Sequence, residues 1–307
     1  MRPVLFNIGP FDLGGLHIPL IAISSYAAFL DLGLIVGLLL FYWQARRAGF
    51  DPNKLVDVLI LAVVAGLVGA RLVFVLVHLP DYLANWRLLL YGWQGGLSIY
   101  GGLLCAALAV ALYARRQELD FWELADLSAP ALALGGAVVC LGYLLSGYYY
   151  GAVTHSPLSL NLPDLGGLYA PRYPTQIIMM VCNLVLFAVL WAIRGRMPFT
   201  GFIFMVYLLL SSLARYALEF LLGEITYLGP FSYTQVLSLL TVALAVVLGY
   251  LIWARQREWG EEEEGEEEGE DEAPSCLTSR NGGHDGASEA GDMAEAEPAS
   301  EEESEEV

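Results

Sequence analysis

A stripe of polar side chains lies within the apolar segment 200–222. Arg215 and Glu219 are four residues apart, about one turn of an α-helix, and the same step backward reaches Ser211 and Tyr207. Such a stripe cannot face lipid, because charged groups in a membrane are costly unless they face a cavity or a partner. Two interpretations stay open: an Arg–Glu pair that locks helix packing, or a cavity wall whose arginine binds an anionic ligand.

A second cation lies in the apolar segment GARLVFVL, residues 69–76. Arg71 in this segment follows Asp57 by fourteen residues, which places the two on roughly the same side of a helix. A structural ion pair is one interpretation. The other is a phosphate site, since the planar guanidinium group binds two oxygens through parallel hydrogen bonds.

Glycines interrupt two further apolar segments. The stretch QGGLSIYGG at 94–102 holds four glycines together with Ser98 and Tyr100, and Gly147 and Gly151 enclose three tyrosines. Close helix packing and interfacial tyrosines would explain both patterns. Alternatively, glycine permits non-helical backbone at membrane depth where that backbone lines a cavity. On this interpretation, residues 94–102 bend their span into a site.

The composition of the chain determines which elements carry these residues. The 307 residues are 57% hydrophobic, whereas soluble domains are about 45–50% apolar. The predicted fold class is therefore all-α, a polytopic membrane protein with seven helices. Each helix is long enough to cross a hydrocarbon core of about 30 Å. The predicted spans are 20–43, 55–78, 89–113, 124–150, 175–194, 200–222 and 230–254.

Basic residues predict the orientation of these spans. Nine of them lie in the first, third and fifth connections and just after the seventh span, against three on the opposite side. By the positive-inside rule, the N-terminus is expected outside and the C-terminus in the cytoplasm. The longest connection, 151–174, then lies on the outer face, where chemistry is expected.

The sequence predicts two parts, a membrane domain at 1–259 and an acidic tail at 260–307. The tail holds 20 of the 33 acidic residues and one base, Arg280, so it accounts for most of the net charge of −18. With almost no residue to bury, it is expected to be disordered. The four cysteines lie singly, without disulfide or metal-ligand spacing, and neither a cofactor nor a removable signal peptide is expected.

Nine segments in this order resemble the bacterial prolipoprotein diacylglyceryl transferase family over about residues 5–250. The segments are IGPF (8–11), SYAAFLDLG (25–33), GARL (69–72), GGLSIYGGL (95–103), ARR (114–116), DLSAP (126–130), LGYLLSGYYYG (141–151), PRYPTQ (171–176) and RYALEF (215–220). The resemblance also includes seven spans with the N-terminus outside.

The resemblance implies an enzyme that moves a diacylglyceryl group from phosphatidylglycerol to the lipobox cysteine thiol of prolipoproteins. The expected partners are therefore phosphatidylglycerol, prolipoprotein signal sequences and membrane lipids. The reaction would take place at the outer face of the bacterial cytoplasmic membrane. Preorganised arginines would stabilise charge on the departing glycerol phosphate.

The site residues follow from the positions that align with the family's motifs, most but not all of which carry the family's residue. The expected catalytic residues are Tyr100, Arg215 and Glu219, with Arg215 and Arg71 holding the phosphate, Tyr100 orienting it and Glu219 fixing Arg215. The expected substrate-binding residues are Tyr26, Arg71, Gly101, Gly102, Ser146, Gly147, Gly151 and Gln176.

Departures from the family pattern share one direction, since neutral and often aromatic residues replace ionic ones. Tyr100 stands where the family has histidine. The family has an arginine, two asparagines, a glutamate and a second arginine where this chain has, in order, Cys140, Tyr143, Ser146, Tyr148 and Ala152. Four further positions also differ: Tyr173, Ile178, Met179 and Leu222. An alternative function is therefore a catalytically impaired relative that binds lipid or lipoprotein as a membrane scaffold.

Overall fold

A computed structural model describes residues 4–271 apart from 9–10, 14–15, 19–20, 85–97, 158, 164–165, 224–226 and 229–230. The helices are α1 (Ser25–Arg47), α2 (Pro52–Val77), α3 (Leu79–Ala84), α4 (Ile99–Arg116), α5 (Phe121–Ser146), α6 (Thr175–Ile193), α7 (Phe202–Glu219) and α8 (Tyr233–Asp271). Within the described residues, seven are long and apolar enough to span a membrane, all but the short α3. The seven predicted spans are thus confirmed.

Short strands supplement the predicted all-α class. The strands are β1 (Val4–Ile8), β2 (Phe11–Leu13), β3 (Leu16–Ile18), β4 (Ile21–Ser24), β5 (Leu160–Pro163), β6 (Tyr169–Arg172), β7 (Tyr227–Leu228) and β8 (Phe231–Ser232). In the described part of the chain they form four two-stranded antiparallel sheets, which pair β1 with β4, β2 with β3, β5 with β6 and β7 with β8.

Side-chain caps determine where several helices begin. The oxygens of Ser24, Asp51 and Asp120 accept backbone N–H groups in the first turns of α1, α2 and α5. At α8, the Ser232 hydroxyl accepts the Gln235 N–H while the Gln235 amide oxygen accepts the Ser232 N–H. This reciprocal pair is a capping box with glutamine in the fourth position.

The stretch 94–102 contains the start of a helix. Ser98 has extended backbone angles and its hydroxyl accepts the Gly101 N–H at 3.4 Å, so α4 begins at Ile99. Tyr100, Gly101 and Gly102 therefore lie in its first turn. Residues 89–97 of the predicted span lie outside the described residues, as does the first part of the expected bend.

Glycines bring the helices into close contact in two places. A Cβ on Gly135 of α5 would lie 2.7 Å from the carbonyl oxygen of Gly33 on α1. A Cβ on Gly102 of α4 would lie 3.0 Å from the carbonyl oxygen of Gly66 on α2. Small residues let helix backbones approach in this way, and van der Waals packing then holds the helices together.

The chain divides into two units, Met1–Glu258 and Trp259–Val307. Helix α8 ends at Asp271, so residues 260–271 of the predicted tail are helical in the structure. Glutamate has a high helix propensity, which allows a helix to continue where charge and glycine would otherwise favour disorder. Residues 272–307 lie outside the described residues, and their disorder stays a prediction.

Candidate active site

Five spans carry polar or aromatic residues to one end of the helices. Tyr26 and Tyr100 lie in the first turns of α1 and α4, Thr175 begins α6, and Arg215 lies in the last turn but one of α7. The fifth contribution is the turn after α5, residues 147–151. Because successive spans run in opposite directions, the starts of three and the ends of two meet at this end, the predicted outer face.

Arg215 is held by a tyrosine of that turn. Its Nη2 donates a hydrogen bond to the Tyr149 hydroxyl at 3.0 Å, and its guanidinium carbon lies 5.4 Å from the centre of the Tyr149 ring. The two residues are 66 positions apart in the chain. The Arg215–Glu219 pair predicted from spacing is not among the ion pairs of the described residues, although Glu219 is buried.

Left-handed backbone shapes the turn that carries Tyr149. Gly147 ends α5 with φ of +79°, a conformation that glycine adopts without steric cost. Tyr149 has φ of +54°, which is uncommon for a residue with a side chain. The turn thereby directs the Tyr149 hydroxyl toward Arg215.

Neighbouring segments donate hydrogen bonds to the backbone carbonyl groups of the three consecutive tyrosines at 148–150. The Thr175 hydroxyl donates to the Tyr149 carbonyl at 2.6 Å, and the Gln176 amide nitrogen donates to the Tyr148 carbonyl at 3.0 Å. The Gly223 N–H donates to the Tyr150 carbonyl at 3.0 Å. The turn is thus fixed from α6 and from the residues after α7.

Four tyrosine rings form a connected group that reaches Arg215 through Tyr149. Tyr26 stacks on Tyr143 with ring centres 5.5 Å apart and contacts Tyr148 at 5.3 Å, while Tyr143 contacts Tyr149 at 4.8 Å. These four rings are called the tyrosine cluster below. Tyr143 and Tyr148 are two of the positions at which the sequence departs from the family, so the substituted residues form one continuous aromatic surface beside Arg215.

Tyr100 faces the same end from α4. It interacts electrostatically with Arg215, Tyr149 and Glu219, and its side chain is 44% exposed. Tyr100 is thus within electrostatic range of the other two predicted catalytic residues, Arg215 and Glu219. An accessible phenol next to a guanidinium group can donate a second hydrogen bond to an anion.

Several predicted substrate-binding residues have structural contacts. A Cβ on Gly101 would overlap Val73 of α2, and a Cβ on Gly151 would overlap the Tyr173 carbonyl. The Ser146 hydroxyl donates back to the Gly142 carbonyl within α5. Gln176 is fully buried and supports the turn. These contacts explain the residue types without a substrate, and binding roles for them stay predictions.

Arg71 differs from its predicted arrangement. Its guanidinium carbon lies 5.7 Å from the centre of the Tyr82 ring, on α3. Asp57 accepts a hydrogen bond from the Tyr113 hydroxyl at 2.9 Å. Fourteen residues of helix separate Arg71 and Asp57 by about 21 Å, so the proposed ion pair between them is wrong. A phosphate-binding role for Arg71 stays a prediction.

Tyr149 and Thr175 are the site residues that sequence analysis missed. Three consecutive tyrosines near the end of a span are also typical of an interfacial aromatic belt. One combination of residues could have distinguished a site from an aromatic belt. It consists of Gly147 before the three tyrosines and Thr175–Gln176 at the start of a helix. That combination, however, indicates contact only when the fold is known.

Helices and site together define a multi-pass membrane protein with an arginine in a tyrosine-lined site at one end of its spans. The family model for prolipoprotein diacylglyceryl transferase matches residues 15–252 of the sequence. This chain belongs to that family.

Curated relatives match over most of their length. The phosphatidylglycerol–prolipoprotein diacylglyceryl transferase of Synechocystis sp. is 32% identical over 275 residues, covering 85% of this chain and 94% of the relative. Proteins of the same name from Nostoc sp. and Listeria monocytogenes are each 30% identical, covering 83% and 82% of this chain and 90% and 92% of the relatives. The relatedness thus includes all seven spans.

Proposed function

We propose that this chain transfers the diacylglyceryl group of phosphatidylglycerol to the lipobox cysteine thiol of prolipoprotein signal sequences. The proposed location is the outer face of the bacterial cytoplasmic membrane. Family membership supports the reaction. The observation that carries the assignment to this site is the Arg215 guanidinium, oriented by its hydrogen bond to Tyr149.

The reaction requires stabilisation of a departing anion. A sulfur–carbon bond forms between the acceptor thiol and the glyceryl carbon, the bond from that carbon to the phosphate oxygen breaks, and glycerol phosphate leaves. The thiol proton passes to a base or to water. Preorganised cationic and hydrogen-bonding groups in a site of low dielectric stabilise such charge strongly, and Arg215 would be the cation that does so here.

Tyr100 and Glu219 have supporting roles in this proposal. The Tyr100 hydroxyl would donate a hydrogen bond to the phosphate and orient it beside Arg215. Glu219 is buried one helical turn beyond Arg215, and its negative charge would favour the positively charged form of the arginine. Tyr26 would contact the lipid through the tyrosine cluster, whose apolar ring faces suit a glyceryl ester.

The substituted family positions are filled by packing in place of ionic contacts. Cys140 is buried with Met179 and Leu218, and the Asn183 amide lies 3.8 Å from its sulfur. Leu222 is buried and bridges to Gly151. Packing at Cys140 and Leu222 supports the proposal of a working enzyme with fewer cations.

Complementation tests the proposal. Cells depleted of their own transferase would express this chain, and a model lipoprotein would be examined by mass spectrometry for the added diacylglyceryl group. Rescue is expected for the wild-type chain and is expected to disappear in Arg215→Ala. Arg47→Ala is the matched control, because Arg47 stacks on Trp43 at the opposite end of α1 and should leave rescue unchanged.

Two outcomes would contradict the proposal. One is a well-expressed, membrane-inserted wild-type chain that adds no mass to the lipoprotein, which would favour the scaffold. The other is full rescue by Arg215→Ala, which would separate this site from the reaction. Tyr100→Phe measures the contribution of the phenol and is expected to slow lipidation about tenfold, as the loss of one charge-assisted hydrogen bond.

A further inference from the structure

The hydrogen bond from Arg215 to Tyr149 joins a residue of the site to a residue of a strained turn. In the described part of the chain, the remaining guanidinium nitrogens make no other hydrogen bond, and no carboxylate is paired with them. One corner of the guanidinium group is therefore fixed by protein while the other N–H groups are available to a ligand. Two parallel hydrogen bonds to phosphate need such an available edge.

The chemistry of the partner matters here. A carboxylate would orient Arg215 but would also neutralise the charge that a phosphate needs. The Tyr149 phenol accepts the hydrogen bond through its hydroxyl oxygen and is not a carboxylate. It therefore orients the guanidinium group and leaves the positive charge for an anionic substrate.

The backbone of Tyr149 shows that this orientation is maintained against strain. Its φ of +54° lies in the left-handed region, where residues with a Cβ are uncommon. Such conformations persist where the surroundings determine them, and they concentrate at functional sites. Here the surroundings are the Thr175 hydroxyl on its own carbonyl and the Gln176 amide on the preceding one.

We propose that Tyr149 is the positioning residue of this site, holding the Arg215 guanidinium toward the phosphate of phosphatidylglycerol through the turn that α6 anchors. The role rests on the proposed function. Tyr149 lies next to Tyr148, one of the positions at which an aromatic residue stands in place of an ionic residue of the family. Tyr149 thus contributes orientation to a site with fewer cations.

Tyr149→Phe tests the proposal, since it removes the hydroxyl and retains the ring and backbone. The purified full chain would be reconstituted in phosphatidylglycerol vesicles with a lipobox peptide, and kcat and KM for the lipid would be measured. We expect kcat to fall about tenfold and KM for the lipid to rise, because a less well oriented guanidinium group holds the phosphate more weakly both in the bound lipid and in the transition state. Tyr216→Phe is the control, because that ring packs on Phe220 of the same helix and, within the described residues, makes no hydrogen bond or cation–π contact with Arg215.

A double-mutant cycle separates positioning from a general structural role. If Tyr149 acts through Arg215, adding Tyr149→Phe to Arg215→Lys should change kcat less than twofold. An equal tenfold loss in both backgrounds would overturn the proposal, as would wild-type kcat in Tyr149→Phe. The proposal would also be overturned if the lower thermal stability of Tyr149→Phe accounted for its whole loss of activity, because less of the protein was folded at the assay temperature.

An inactive wild-type chain would refute the proposed function and leave positioning to be judged by binding. Native mass spectrometry of the same preparations would then compare phosphatidylglycerol occupancy with that of phosphatidylcholine. Weaker phosphatidylglycerol binding by Tyr149→Phe than by Tyr216→Phe would support Tyr149 as the residue that orients Arg215. Equal binding by both variants would end the proposal.

Discussion

The carboxylate of Asp126 on α5 caps the first turn of α7. Its two oxygens accept the Gly201 N–H at 2.7 Å and the Phe204 N–H at 2.8 Å, and the side chain is 3% exposed. Gly201 itself precedes α7 and has no side chain to cap the helix. One membrane span therefore supplies the cap of another, which fixes the helix that carries Arg215.

Removal of this cap should destabilise the membrane domain. Asp126→Ala leaves buried backbone N–H groups without an acceptor, so we expect the free energy of unfolding to fall by about 2–4 kcal/mol. Asp120→Ala, which removes the exposed cap of α5, should cost only about 1 kcal/mol. Thermal unfolding of both variants in detergent, followed by circular dichroism, measures the difference. Equal midpoints for the two variants would contradict the prediction.

Contact between α1 and α5 predicts a second stability effect. In Gly135→Ala the new Cβ would lie 2.7 Å from the Gly33 carbonyl oxygen, and backbone must move to relieve the overlap. We expect destabilisation of about 1–3 kcal/mol, as for overpacked cores. Gly195→Ala is the control, since a Cβ there meets no atom within 4 Å. If Gly135→Ala and Gly195→Ala unfold at the same midpoint, α1 and α5 move apart at little cost in free energy and the prediction is wrong.

Hydropathy predicted the spans because membrane insertion is a local property of about twenty residues. Boundaries were less accurate because single side chains set them. The first span was predicted from residue 20, whereas α1 begins at Ser25, where the Ser24 hydroxyl accepts the Ala27 N–H at 3.1 Å. Residues 21–24 pair instead with β1. Strand pairing between distant segments leaves no periodic signal in so short a stretch.

The site was predicted in part, for a similar reason. The spacing of four places Arg215 and Glu219 on one face of a helix, but it does not determine which group the long arginine side chain contacts. Tyr149 provides that contact from another element, and its turn is held by Thr175 and Gln176. Pairwise contacts of this kind depend on the packing of α5, α6 and α7, which spacing alone does not specify.

Support of the turn by α6 predicts an effect on activity at a distance from the substrate. Thr175→Val removes the hydroxyl that donates to the Tyr149 carbonyl at 2.6 Å and preserves the side-chain shape. We expect the transfer rate to fall about fivefold to tenfold, because one hydrogen bond contributes about 1 kcal/mol to the strained turn. The rate would be measured in vesicles with a lipobox peptide.

Thr241→Val is the matched control for that substitution. The Thr241 hydroxyl also donates to a carbonyl, that of Leu237 at 2.8 Å, but within α8. Its removal should leave the transfer rate unchanged. If both threonine variants transfer at the wild-type rate, the anchoring of the turn from α6 has no catalytic consequence.

Gly101 allows the packing and substrate-binding interpretations of the YGG sequence to be separated. A Cβ at Gly101 would overlap Val73 and lie 2.8 Å from the Gly69 carbonyl oxygen. If packing explains this glycine, Gly101→Ala should lower the free energy of unfolding by about 1–3 kcal/mol. The double variant Gly101→Ala/Val73→Gly should then recover part of that stability, since it removes both Val73 carbons, Cβ and Cγ2, that the new methyl group meets.

Measurement of both stability and transfer distinguishes the two interpretations. Packing predicts that the double variant, once folded, transfers lipid at a rate near that of Val73→Gly alone. Substrate binding predicts that Gly101→Ala and the double variant both stay inactive. This should hold even where each has the same unfolding midpoint as the matching protein that keeps Gly101. Because Gly101 directly follows Tyr100 in the first turn of α4, helix displacement would also move the phenol. A stability-matched pair of variants is therefore needed to assign any loss of transfer to the glycine itself.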